Sequence, residues 1–167
     1  MLSAIIAFIV VLADQISKYF VRLNLKPVGN IKLIEGIIDF TYVENRGAAF
    51  GMLSDNRTVF LVFSVVIIAM LCYIIAKFHG QRKLFDICLG LIAGGGIGNM
   101  IDRIFLGYVV DFIDFCAFDF WVWVFNIADC AVVVGCILAI VFLMFDKKAK
   151  TAFDNKSQPC GENQDEQ

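Results

Sequence analysis

The chain has 167 residues, 60% of them hydrophobic and 18% charged, with a formal net charge of −2. A soluble domain of this size needs more polar surface, because a small fold cannot hide so much apolar area; a mean hydropathy of +0.79 points to a bilayer as the solvent. The slightly acidic balance argues against a nucleic-acid partner, and a single histidine, His79, set in a basic turn, argues against a Ser–His–Asp triad or a histidine-based metal centre.

A membrane helix needs about 20 apolar residues, and four segments qualify, at 2–21, 59–78, 84–104 and 125–145. The first, interrupted only by Asp14 and Lys18, lacks the basic start and A-x-A-like site of a cleaved signal sequence, so it is expected to be retained. Residues 22–58 form a long connection of mixed charge. Pro27-Val28-Gly29-Asn30 is a turn signal, Ile31 to Glu35 alternates loosely, and Gly36 precedes the β-branched and aromatic run Ile37 to Val43. A small β-platform is expected there.

The second segment carries no charge until Lys77, and a short basic turn with Lys77, Arg82 and Lys83 follows it. The third holds Asp86 near its start, Gly94-Gly95-Gly96-Ile97-Gly98 in its middle, and Asn99, Asp102 and Arg103 near its finish. Those glycines are expected to let helices approach closely; no preceding strand or following Lys-Ser/Thr supports a phosphate loop. An aromatic stretch from Phe115 to Phe125, with Trp121 and Trp123, is read as interfacial. The fourth segment carries Asn126 and Asp129 near its start, and Lys147, Lys148 and Lys150 follow it. The two basic stretches place both termini in the cytoplasm by the positive-inside rule. Beyond residue 150 the composition is that of a disordered cytoplasmic tail, so the domain proper is assigned to 1–150 and the tail to 151–167. Six cysteines (Cys72, Cys88, Cys116, Cys130, Cys136 and Cys160) show no CxxC spacing and are read as structural thiols.

Successive spans run in opposite directions, so the end of the first, the end of the third and the start of the fourth share one membrane face. There the polar groups collect: Asp14 with Lys18, Asn99 with Asp102 and Arg103, and Asn126 with Asp129, each set at helical spacing. Ionisable groups at membrane depth cost on the order of 2.5–3.5 kcal/mol each, so mutual contact around a polar cavity is expected. Lys18 and Arg103 have a plainer reading, in which they snorkel to the interface. With carboxylates as the available reactive groups, two facing aspartates sharing one proton could activate a water and polarise a carbonyl. Spacing alone nominates Asp14, Asp102, Asp111 and Asp129 without choosing the pair.

Five stretches in order resemble the lipoprotein signal peptidases, or type II signal peptidases: Asp14-Gln15-Ile16-Ser17-Lys18, Asn45-Arg46-Gly47-Ala48-Ala49-Phe50-Gly51, Gly98-Asn99-Met100-Ile101-Asp102-Arg103, Gly107-Tyr108-Val109-Val110-Asp111-Phe112 and Phe125-Asn126-Ile127-Ala128-Asp129. The likeness runs from the first span through Phe145. Trp121-Val122-Trp123-Val124 stands where the family pattern has a proline, and Cys130 where Ser or Ala is usual. The resemblance implies an α-helical membrane peptidase with four transmembrane helices and a small extracytoplasmic β-platform. It would act at the outer face of the bacterial inner membrane, cleaving prolipoproteins before a diacylglyceryl-modified cysteine. It implies a catalytic dyad of Asp111 and Asp129, with Asp14, Lys18, Asn45, Arg46, Gly47, Asn99, Asp102, Arg103, Asn126 and Ala128 lining or bracing the site. Asn45 and Asn126 are expected to bond the substrate backbone, and Arg103 to order an outer loop or buttress Asp102. No cofactor or metal is implied, the substrates and membrane lipid are the expected partners, and a monomer is expected. The rivals are an ion-coupled transporter, which places its carboxylates near the midplane within inverted repeats, and a non-enzymatic assembly factor, which leaves the one-sided carboxylates without a task.

Overall fold

The computed structural model describes residues 1–47, 82–117 and 123–145, together with Val66, Ala69, Met70 and Tyr73. The second apolar segment apart from those four positions, His79, Asp119, Trp121, Cys72, Cys160 and the tail 151–167 lie outside the described residues.

Helix α1 spans Leu2–Phe20 and passes into a wide π-helical turn at Val21–Leu25. It is built inside out for water: its buried residues are Ser3, Val10, Asp14 and Lys18, while Ile5, Phe8, Ile9, Leu12, Ile16 and Tyr19 face outward. That is the pattern of a helix whose solvent is hydrocarbon and whose polar stripe needs protein partners. Helix α2, Lys83–Phe105, buries Asp86 and Asp102 among small residues, and helix α3, Ile127–Phe145, buries the small residues Ala128, Ala131 and Gly135. By length and composition the helical stretches Leu2–Leu25 and Lys83–Phe105 can cross a membrane, and Ile127–Phe142 is a shorter apolar helix. The described positions of the second segment are helical and exposed, as expected of a lipid-facing span.

Helix α2 is central and packs on both α1 and α3. Its glycines make this possible. A Cβ on Gly90 would come within 2.7 Å of the Ser3 carbonyl, one on Gly94 within 2.8 Å of the Ala7 carbonyl, and one on Gly98 within 2.6 Å of Asp14 Oδ2. One residue round the helix, a Cβ on Gly95 would collide with the Ala128 carbonyl of α3. Two faces of small residues thus let three backbones come together.

At one end of the bundle lies a four-stranded antiparallel sheet, ordered β1 (Asn30–Ile34), β2 (Ile38–Asn45), β3 (Val109–Phe115) and β4 (Val124–Phe125). Gly36, at φ +74°, sits in the β1–β2 hairpin turn. The platform expected in the first connection is therefore half of a larger sheet, completed by two strands from the connection between α2 and α3. The β2–β3 register places Asn45 opposite Val109 and Val43 opposite Asp111, with an irregularity between Phe40 and Val43. Pairing across the two connections brings the Asn45 segment to the Asp111 segment.

Candidate active site

Asp111 projects from the buried half of β3 and is 2% exposed. Its Oδ2 accepts a hydrogen bond from Asn45 Nδ2 at 2.9 Å, and its Oδ1 one from Asn126 Nδ2 at 2.6 Å. Asp129, in the first turn of α3, accepts from Asn99 Nδ2 at 2.7 Å through Oδ1 and from the Asn126 backbone N–H at 3.3 Å through Oδ2. One residue, Asn126, thus bonds both acids. Burial, with the nearby charge of Asp129 adding to it against the Asn45 and Asn126 hydrogen bonds, pushes the Asp111 carboxyl up to about 6.

The three asparagines point their NH₂ groups at the carboxylates because each amide oxygen is already engaged. Asn45 Oδ1 accepts the Gly47 N–H at 3.1 Å. Asn126 Oδ1 accepts the Asp129 N–H at 2.9 Å, so Asn126 caps the start of α3. Asn99 Oδ1 accepts from Lys18 Nζ at 2.9 Å and from Asn126 Nδ2 at 3.1 Å. With the oxygen held, an amide can offer only donors on its other side. Donors then face both carboxylates, an arrangement suited to holding negative charge.

Beneath this layer lies an ionic one. Lys18 Nζ is 2.9 Å from Asp14 Oδ2 and 3.0 Å from Asp102 Oδ2. Lys18 is 2% exposed, so the snorkelling reading does not hold for it: two carboxylates and an amide oxygen take up its protons inside the protein. Asp14 Oδ1 also accepts the Ala128 N–H at 3.0 Å, and Asp102 Oδ2 the Val110 N–H at 3.0 Å. Gln15 Nε2 donates to Asp102 Oδ1 at 3.0 Å, a contact that the sequence reading did not single out although Gln15 sits inside the first motif.

Among the residues nominated from sequence, Asp14, Lys18, Asn45, Asn99, Asp102, Asp111, Asn126, Ala128 and Asp129 therefore meet in one network, with Gly47 fixing Asn45. Arg46 stands at its edge: it is 3.3 Å from Glu44 Oε2 and lies over the Tyr108 ring at 5.5 Å. Arg103 donates to the Asn99 carbonyl at 3.4 Å, while Lys18 pairs with Asp102. Asn45 and Asn126, expected to bond a substrate backbone, each donate to Asp111, and Asn126 donates to Asn99 as well. Among the described residues no group of three or more His, Cys, Asp or Glu side chains is placed to hold a metal ion.

Comparison with known proteins gives this network a context. Residues 6–145 match the family model described as signal peptidase (SPase) II. The chain is 46% identical over 145 residues to a lipoprotein signal peptidase of Caldanaerobacter subterraneus subsp. tengcongensis, covering 87% of this chain and 97% of that one. It is 43% identical to a lipoprotein signal peptidase of Halothermothrix orenii, covering 86% of this chain and 96% of that one. Among solved structures it is similar to a bacterial membrane enzyme determined by the in meso method at 1.9 Å, with a TM-score of 0.78, 35% identity, and coverage of 87% of this chain and 94% of that chain. A second such enzyme, at 2.3 Å, gives a TM-score of 0.75 at 31% identity, covering 95% of this chain and 94% of that one.

Proposed function

Since this chain belongs to the signal peptidase II family, a family of bacterial membrane proteases that remove signal peptides from prolipoproteins, we propose that it does so as an aspartyl endopeptidase with Asp111 and Asp129 as its dyad. The observation that carries the reading is the Asn126 side chain and backbone, which bond one acid at 2.6 Å and the other at 3.3 Å. That one residue bonds both acids supports a pair that acts together on one water.

In the proposed reaction the pair shares a proton. The ionised carboxylate takes a proton from a water as that water's oxygen attacks the carbonyl carbon of the scissile peptide bond, and the protonated carboxyl donates to the carbonyl oxygen. Collapse of the tetrahedral intermediate breaks the C–N bond, and a proton passes to the leaving amine, freeing the amino group of the lipid-modified cysteine. Burial that raises Asp111 supports this, because it lets that residue keep a proton to higher pH than an ordinary aspartate. The substrate class is a prolipoprotein carrying diacylglycerol on the cysteine after the cut.

The same proposal covers the setting: four membrane spans, the sheet on the outer face of the inner membrane, both termini in the cytoplasm, a peptidase domain over 1–150 with a tail at 151–167, and a monomer. The inside-out burial of α1, the basic residues Arg82 and Lys83 at the start of α2, and the basic residues that follow Phe145 in the sequence support the membrane setting. Incubating purified protein with a diacylglyceryl-modified prolipoprotein and following signal-peptide release on a gel tests the reading. Lipid-dependent cleavage is expected, and Asp111→Asn or Asp129→Asn is expected to lower it by about 10²–10⁴-fold or more while the protein still accumulates in the membrane. Near-normal cleavage by either variant removes that residue from the dyad.

A further inference from the structure

Lys18, Arg22 and Lys26 follow one another at intervals of four along the outgoing end of α1 and its wide turn. Two of the three are neutralised. Lys18 lies 2.9 Å from Asp14 and 3.0 Å from Asp102, and Lys26 lies 2.9 Å from Glu44. Arg22, exposed between them, has no hydrogen bond or ion pair among the described residues. Beside it is a cavity of about 270 Å³ between the sheet-side ends of α1 and α2, lined by Gln15, Lys18, Tyr19, Arg22, Ile101, Asp102, Phe105 and Leu106.

The chemistry of this cavity is layered. Its floor is polar but saturated: Lys18 spends its protons on Asp14, Asp102 and Asn99, and both Asp102 oxygens accept hydrogen bonds. Its walls, Tyr19, Ile101, Phe105 and Leu106, are apolar or aromatic, with Tyr19 58% and Phe105 78% exposed to the surroundings of the helices. Its rim carries the one unbalanced cation. A guanidinium at the edge of an apolar groove, level with the end of a span and next to aromatic rings, matches a phosphodiester with an acyl chain beneath it. The π-turn at Val21–Leu25 sets Arg22 at that rim, and such turns recur at functional sites.

We propose that this groove binds the headgroup of an anionic glycerophospholipid, with Arg22 on the phosphate and the first acyl methylenes against Ile101, Phe105 and Leu106. A zwitterionic lipid is disfavoured because its ammonium would lie beside Arg22 and Lys26 with no free carboxylate at the rim. The site is distinct from the Asp111–Asp129 pair, and it stands whether or not those acids are the dyad.

The test is a titration of the purified full chain in mild detergent with phosphatidylglycerol, phosphatidylcholine and inorganic phosphate, reading bound lipid by native mass spectrometry and the thermal midpoint. Phosphatidylglycerol is expected to be retained and to raise the midpoint, and the other two to do neither. Arg22→Gln, at an exposed position, is expected to weaken phosphatidylglycerol retention about tenfold or more, the loss of one charge-assisted contact, with Arg22→Lys in between. Leu106→Trp, which fills the groove and leaves Arg22 in place, is expected to weaken it as well. Arg22→Gln is also expected to cleave prolipoprotein like the parent in lipid-free detergent, which separates this site from the catalytic reading. Equal retention by Arg22→Gln or by Leu106→Trp, an equal shift from phosphatidylcholine, or an equal shift from phosphate alone overturns the proposal.

Discussion

Asparagine side chains carry most of the polar logic of this protein. Asn45, Asn99 and Asn126 each have an oxygen pinned by a donor, so their NH₂ groups are committed to Asp111 and Asp129. The Asn45 bond opposes the rise that burial imposes on Asp111. Asn45→Ala should therefore raise Asp111 further, by about one pH unit for a bond worth roughly 1 kcal/mol. An acid pair that works with one proton keeps its activity below the higher of its two values and loses it as pH rises through that value. The alkaline limb of kcat/KM should thus move to higher pH in Asn45→Ala, on a lower maximum. An unmoved limb would separate Asp111 from the titration. The same burial has a sign in stability. Asp111 holds its proton more tightly folded than unfolded, so its contribution is full below the ordinary value of 3.8 and lost as pH rises through about 6. Asp111→Asn removes that loss but sets an NH₂ against the Asn45 or Asn126 donor, so its melting temperature is expected to lie below the parent's by less at pH 8 than at pH 4. Sequence made these residue types visible, but not their orientation. An asparagine in a motif is equally consistent with bonding a substrate, and only the pinned oxygens turn Asn45 and Asn126 toward Asp111.

At the level of elements, the helices were the legible part. Long apolar runs with polar residues gathered at one end announce the helices, and α1 and α2 begin and end within a residue or two of the apolar segments. The glycines of α2 were legible too, although which neighbour each one touches was not. Gly94 and Gly98 face α1, whereas Gly95 faces α3 at the Ala128 carbonyl. Gly95→Ala should push α3 from α2 just where Asp129 begins its helix, costing about 1–3 kcal/mol as an overpacking change. Thermal unfolding in detergent measures it, and an unchanged midpoint would mean that the two helices have room to part. Strands β3 and β4 were not foreseen. Asp111 and Asp114 fall three apart in β3, out of step with a period of two, and β4 is two residues long, so neither carries a period-2 signal of its own. β3 is a strand because β2 supplies an edge, and β4 because β3 supplies the next.

Across the whole molecule, Lys18 is the point where the pieces meet. Its ammonium touches Asp14 of α1 and Asp102 of α2, and those carboxylates in turn hold the Ala128 N–H of α3 and the Val110 N–H of β3. Composition statistics assign a lysine near a span end to the interface; what they omit is a pair of acids already waiting inside. Lys18→Ala leaves two buried carboxylates without their cation and should cost about 3–5 kcal/mol, read as a lower melting temperature and poorer accumulation in the membrane. A Lys18→Ala protein that melts with the parent would falsify the tie.

The β2–β3 pairing has a consequence for biosynthesis. Asn45 pairs with Val109, so the edge of β2 away from β1 has no partner until the ribosome has made more than sixty further residues, α2 among them. Such a distant closure is a late event in folding. The nascent chain must hold its first hairpin in reserve while its membrane segments insert, and Asp111 receives the Asn45 amide only after translation has passed both. On the proposed dyad, completion of the pocket is thereby coupled to completed insertion, and a half-made chain would have no means of cutting.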